Sequence, residues 1–200
     1  MNTKNYNGGL TREQFLFYEI RIVAGLITQG LERDEIVHQI VSQNLFQYPT
    51  ERMQKTIANG CLRRLDALDS KDLTELLYHA SPDVAKQINL YAIMCQNAIV
   101  YDFMVDVIGE KFRSSRLDFS VKDVNLFLVS LADKVPAANE WSESTIIKIR
   151  QVLVKFLLEC EYIHDRKADK LEPVYLYPEL EAAIREKCDY EALAAFNCFD

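Results

Sequence analysis

The side chains best placed to do chemistry are cations interleaved with small hydrogen-bonding residues. Over residues 50–68, a projection at about 100° per residue puts Arg52, Lys55, Thr56, Asn59 and Arg63 on one helical face. Met53, Ile57, Cys61, Leu65 and Leu68 fall on the other, with Arg64 toward the apolar boundary as a structural residue. Lys and Arg spaced by Thr and Asn match the acceptors of phosphates and base edges. A second face carries Ser144, Thr145, Lys148, Gln151 and Lys155, opposite Ile146, Leu153, Phe156 and Leu157. Both faces read equally as the solvated sides of amphipathic helices. Lys111, Arg113 and Arg116, with Ser114 and Ser115, run without an acid until Asp118, which suits a phosphate backbone or an exposed linker. Arg166, Lys167 and Lys170 add charge near a turn, diluted by Asp165 and Asp169.

Enzymatic chemistry is poorly served. Asp102 and Asp106 stand one helical turn apart, a spacing open to acid–base work, a divalent ion or plain surface charge. Gly8-Gly9 lacks the Gly-Lys-Ser/Thr of a phosphate loop, and no G-x-S-x-G, H-E-x-x-H or kinase signature occurs. Cys61, Cys95, Cys160, Cys188 and Cys198 are scattered without a C-x-x-C, and His38, His79 and His164 lie far apart. Reduced thiols, no metal, no cofactor and no enzyme are the expectation.

The elements that must position these faces are helices. Thr11 with Gln14 forms a capping-box spacing for a helix to Gly30, followed by one over 32–44. Thr50 opens a third through Leu68 and Ser70 a fourth. Ser81-Pro82-Asp83 starts a long fifth reaching Ile108, where Gly109 ends it. Ser120, with Asp123 three residues on, opens the next, and Pro136 breaks it. Ser142 caps another to about Glu161, and Trp141 before it reads as a hydrophobic staple. Leu171 to Tyr177 is strand-competent, but its Pro suits an edge or a wing. Pro178 opens a helix to about Lys187, and Asp189 caps a last short one. Arg150 projects among Ile146, Val154 and Leu157, so it needs a carboxylate or several carbonyls. An ion pair joining two lobes is expected there.

The fold expected is all-α and two-lobed. Residues 1–110 make an N-terminal helical lobe with a flexible arm over 1–9, and 111–119 a basic linker. Residues 120–200 make a winged helix-turn-helix-like lobe with acidic terminal helices and at most one small β-hairpin. The net charge of −7 argues against a generally basic nucleic-acid binder. Residues 171–200 hold seven acids against two bases, so the first 170 carry only −2. No apolar run approaches the about 20 residues of a membrane helix, and Met1 to Gly9 has no signal-peptide core. The expectation is a cytoplasmic protein without membrane contact.

Several segments together resemble one family. They are Glu19, Asn44-Leu45-Phe46 before Thr50-Glu51-Arg52, Arg64-Leu65, Tyr101-Asp102-Phe103, the Asp123-Val124 helix, and Trp141-Ser142 with Thr145 and Lys148. Their order resembles the BrxA proteins of bacteriophage-exclusion (BREX) systems across nearly the whole chain. The resemblance implies a non-enzymatic, all-helical accessory protein that binds double-stranded DNA and supports phage defence beside other defence proteins. It also implies likeness to helical antitermination factors, which admits RNA as a ligand. No family motif assigns DNA contacts, so Arg52, Lys55, Asn59, Arg63, Lys111, Arg113, Arg116, Ser144, Thr145, Lys148, Gln151 and Lys155 stand on the face analysis alone. The rival expectation is an adaptor for larger defence enzymes, using Leu193, Phe196 and Phe199 in the acidic C-terminal segment. Oligomerisation is compatible with either.

Overall fold

The computed structural model describes Tyr6, Leu10, Thr11 and residues 14–199. It is all-α, with no strand among the described residues. No single helix among them is long and apolar enough to cross a membrane. Contacts divide the chain into two units, Leu16–Gln96 and Asn97–Asp200, the latter including the residues up to Phe15. The division therefore falls at Gln96/Asn97 and not over 111–119.

The first unit is built from α1 (Phe17–Thr28), α2 (Arg33–Ser42), α3 (Glu51–Leu68), α4 (Lys71–His79) and α5 (Pro82–Gln96). The starts of α2, α3 and α4 are locally encoded. The Thr50 hydroxyl accepts the Met53 N–H at 3.2 Å and the Ser70 hydroxyl the Leu73 N–H at 3.2 Å. Glu32 and Glu35 form a reciprocal capping box. The start expected at Thr11 is not that of α1, because Leu16 adopts a left-handed conformation (φ 52°) just before Phe17. Helix α3 packs against α1, α2 and α5, and α1 also lies on α4. The α1–α4 approach is close: a Cβ on Gly25 would meet the Tyr78 ring at 2.6 Å. Arg21 Nη2 donates to the Tyr78 and Ala80 carbonyls, both at 2.9 Å, at the end of α4.

The second unit holds α6 (Ala98–Asp102), a π-helix (Phe103–Gly109), α7 (Glu110–Arg113), α8 (Val121–Lys134), α9 (Pro136–Asn139), α10 (Glu143–Glu159), α11 (Pro178–Glu186), α12 (Tyr190–Leu193) and a 3-10 turn (Ala194–Phe196). Asn97 starts α6, its side-chain oxygen accepting the Ile99 N–H at 3.0 Å. The expected run from Pro82 to Ile108 is thus three elements, α5, α6 and the π-helix, and Gly109 continues the helical path instead of ending it. Gly109 allows the 3-10 turn to lie on the π-helix, since a Cβ there would sit 2.8 Å from the Ala194 Cβ. Phe112 is buried, so 111–119 starts inside a packed helix and is no linker.

Leu171 to Tyr177 forms no strand. Single backbone pairings replace it. Phe119 N–H donates to the Asp169 carbonyl at 2.9 Å, Leu171 N–H to Leu117 at 2.7 Å and Glu172 N–H to Tyr162 at 2.9 Å. Tyr162 is wholly buried and donates its hydroxyl to the Ala195 carbonyl at 2.9 Å. The arm expected over 1–9 lies outside the described residues except for Tyr6. That residue is half-buried. Phe15 is buried beside Phe156, their ring centres 6.1 Å apart.

Candidate nucleic-acid interface

In the first unit, α3 presents Arg52, Lys55, Thr56 and Arg63 to solvent and leaves Asn59 half-exposed. Part of that polarity is used within the helix. Lys55 lies 3.6 Å from Glu51, the Thr56 hydroxyl donates to the Arg52 carbonyl at 2.8 Å, and the Asn59 amide donates to the Lys55 carbonyl at 2.8 Å. The buried stripe is rotated from the one the sequence predicts. It runs through Gln54, Ala58, Cys61, Leu62, Arg64, Leu65 and Leu68, while Met53 is exposed. Arg64 is fully buried and donates from Nη1 to the Asn89 side-chain oxygen on α5 at 3.0 Å. A guanidinium interrupting the apolar pattern tilts the simple projection, because its long stem packs like an aliphatic chain.

In the second unit the three cations of 111–116 meet three different fates. Lys111 Nζ lies 2.9 Å from Asp123 Oδ1 and 3.7 Å from Asp118 Oδ2, with its side chain only 15% exposed. It also donates to the Asp118 carbonyl. Burial alone would raise the Asp123 carboxyl. The Lys111 ammonium and the Ser120 N–H and hydroxyl outweigh it and hold the group below its ordinary value. Lys111 is therefore a structural cation, unavailable to a phosphate. Arg113 is exposed, 3.3 Å from Glu110 and over the Phe199 ring at 5.4 Å. Arg116 is exposed and donates from Nε to the Ser114 hydroxyl at 3.3 Å.

Helix α10 keeps Ser144, Lys148 and Gln151 exposed, with Thr145 and Lys155 half-exposed. Its cap is a hydroxyl cluster: Ser142 Oγ is 3.0 Å from both Ser144 Oγ and Thr145 Oγ1, and it accepts the Thr145 N–H at 3.3 Å. Lys148 and Lys155 have no carboxylate partner among the described residues. The buried side is Ile149, Leu153, Val154, Phe156 and Leu157, so Ile146 stays half-exposed. Arg150 is half-buried and donates from Nη1 to the Asn125 side-chain oxygen on α8 at 3.1 Å. The lobe-joining ion pair expected there is instead an amide contact within one unit. A neutral acceptor suffices because a half-buried guanidinium keeps part of its hydration.

The C-terminal residues expected to form a docking patch are mostly core. Leu193 and Phe196 are buried, and Phe199 lies against Arg113. Asp189 accepts a hydrogen bond from the Tyr101 hydroxyl instead of capping α12 with its side chain. No group of His, Cys, Asp and Glu suited to a metal occurs among the described residues.

Sequence reasoning missed one site. Tyr6 donates to Asp102 Oδ2 at 2.6 Å across 96 positions. Burial, then the Asp102 bond and the Asp102 and Asp106 charges, push the Tyr6 phenol up to about 12. The spacing of Asp102 and Asp106 was the only signal in the sequence.

The family model named BrxA matches residues 4–188. A protein of Bacillus cereus described as "BREX protein BrxA" is 29% identical over 165 residues, 82% of each chain. One of Escherichia coli with that description is 28% identical over 184 residues, covering 92% of this chain and 86% of its own. The crystal structure of an uncharacterized protein from Magnetospirillum magneticum superposes with a TM-score of 0.76 at 23% identity, covering 96% of this chain and 97% of that one.

Proposed function

The chain belongs to the BrxA family of BREX phage-defence systems, and from that premise we propose that it is a non-enzymatic accessory protein that binds double-stranded DNA. Its family membership brings other defence-system proteins as partners. The cytoplasm is the compartment this reading assumes.

The observation that carries the reading is the order of backbone pairing around α8 and α10. Residues 169–172 pair on one side with 117–119, ahead of α8, and on the other with Tyr162, just after α10. That order supports reading the segment as a winged helix-turn-helix, with α10 as the recognition helix and 164–169 as the wing. The exposed residues of α10 then supply a phosphate-seeking cation in Lys148, a second in Lys155 and an adaptable amide in Gln151. Ser144 and Thr145 stand at the helix start, where N–H groups favour anions. Arg113 and Arg116 precede α8, and Arg166, Lys167 and Lys170 are exposed around the wing. On the other unit, Arg52, Lys55, Asn59 and Arg63 form a separate face for backbone contact. Lys111 is left out because Asp118 and Asp123 hold it.

The test is a gel-shift series on duplex DNA across salt. Binding weakens steeply as salt rises, and Arg52→Glu, Arg63→Glu and Lys148→Glu each weaken it further. No binding at low salt, or binding indifferent to all three changes in folded protein, discards the proposal. Duplex RNA in the same series separates it from the antitermination-like alternative.

A further inference from the structure

Helix α8 buries Val124, Phe127, Leu128 and Leu131, and its opposite face is open to solvent. Leu126 and Val129 stand there 70% and 62% exposed, three residues apart and therefore neighbours on the helix surface. Among the described residues no other helix exposes two large apolar side chains one turn apart. A projection at about 100° per residue places Lys122, Leu126, Val129 and Asp133 within about 60° of one another. Their 4-3-4 spacing is that of the seam along which one helix packs on another. Lys122 and Asp133 are exposed, and neither side chain has a partner among the described residues.

The order of the four identifies the second helix. The midpoint between Leu126 and Val129 in the sequence is also the midpoint between Lys122 and Asp133. A two-fold axis through that point turns the stripe onto an antiparallel copy of itself. Leu126 then meets Val129 of the second copy, and Lys122, about 8 Å along the helix from the axis, meets Asp133 of the second copy. Asn125 falls opposite Ser130 by the same symmetry, so no like charges are brought together. A parallel arrangement would set lysine against lysine and aspartate against aspartate, which repel. Self-complementarity of this kind is what an isologous contact requires and a foreign partner does not.

We propose that the outer face of α8 is an interface with a second copy of this chain, formed by antiparallel packing of the two α8 helices about that axis. Burial of Leu126 and Val129 supplies the attraction. The two Lys122–Asp133 pairs set direction and register. Four side chains from each copy make a contact below the size of a standard stable interface. The dimer is therefore weak and forms as concentration rises.

The experiment is sedimentation velocity on the full-length chain at low salt, over a concentration series reaching the millimolar range. The unaltered chain passes from monomer to dimer along the series. Lys122→Glu and Asp133→Lys each weaken association about tenfold or more, since each turns two attractive pairs into two repulsive ones. An equimolar mixture of the two variants recovers the dimer to within about threefold of the parent, because each copy offers the charge that the other needs. Leu126→Gln weakens association in every combination, with circular dichroism confirming the fold of all variants. A chain that stays monomeric throughout, as it would if a different protein covered this face, overturns the proposal. So does a dimer indifferent to both charge changes, or a mixture that associates no better than its components. No DNA is present in any arm, so the result is independent of the function proposed above.

Discussion

Lys111 Nζ lies 2.9 Å from Asp123 Oδ1, while Asp123 Oδ2 accepts the Ser120 N–H at 2.7 Å. One carboxylate thus closes the capping box of α8 and anchors that helix to α7. A cation whose spacing suits a phosphate contact instead ties α7 to α8.

The pair makes stability depend on acid in a defined window. The folded Asp123 carboxyl is held below its ordinary value of 3.8, so its contribution is complete above that value and disappears as pH falls through the lower folded one. Asp123→Asn costs about 1–3 kcal/mol at neutral pH. The gap between variant and parent is smaller at pH 3, because the contribution starts to be lost once pH falls below 3.8. Thermal melts at both pH values check this, and an unchanged gap contradicts it.

Lys111 and Lys148 separate structure from binding. Lys111→Met lowers the melting temperature, yet the folded fraction keeps the parent's salt dependence on DNA. Lys148→Gln leaves stability within about 0.5 kcal/mol and reduces the salt slope by about one. Paired melts and salt titrations of the two variants decide it, and a reversed pattern rejects the assignment.

Two helical glycines respond to alanine with opposite signs. At Gly60 an added Cβ meets only the Arg63 guanidinium at 4.0 Å, so Gly60→Ala stabilises by up to about 1 kcal/mol. At Gly109 it meets the Ala194 Cβ at 2.8 Å and the Ala194 backbone carbon at 3.0 Å. Gly109→Ala therefore destabilises by about 1–3 kcal/mol despite its better helix propensity. Denaturant midpoints for the pair show the split.

The C-terminal segment is a stability element. Phe196 is completely buried, and Phe196→Ala costs about 3–5 kcal/mol. Removal of residues 189–200 unfolds the unit that contains them, seen as loss of its cooperative melt. A truncated chain that melts like the parent while losing only a partner would restore the docking-tail reading.

Much of the fold was legible because helix starts are local chemistry. Thr50, Ser70, Ser120 and Ser142 each accept a backbone N–H within three residues, and Pro82, Pro136 and Pro178 stand at first helical positions. The exposed members of both candidate faces follow from the same periodicity. Three features had no decisive local signature. The break at Asn97 is marked only by the polar pair Gln96-Asn97 in a mostly apolar stretch, and residue type alone does not say that Asn97 caps a new helix instead of continuing the old one. The π-helix needs a hydrogen-bond shift that residue type does not announce. The backbone bonds of residues 169–172 are single pairings, too few to leave alternation in Leu171 to Tyr177.

What the chain alone determined, then, is an all-helical protein of a defence family, most of its helix starts, and which cations stand on polar faces. These follow from interactions within about one turn of sequence. What only tertiary structure decided is which charges remain for a partner. Asp123 on α8 claims Lys111 on α7, Asn125 receives Arg150, Asn89 receives Arg64, and Asp102 receives Tyr6. A charge is neutralised by whatever lies within a few ångströms of it, and residues 25 or 96 positions apart reach that distance only when the chain has folded.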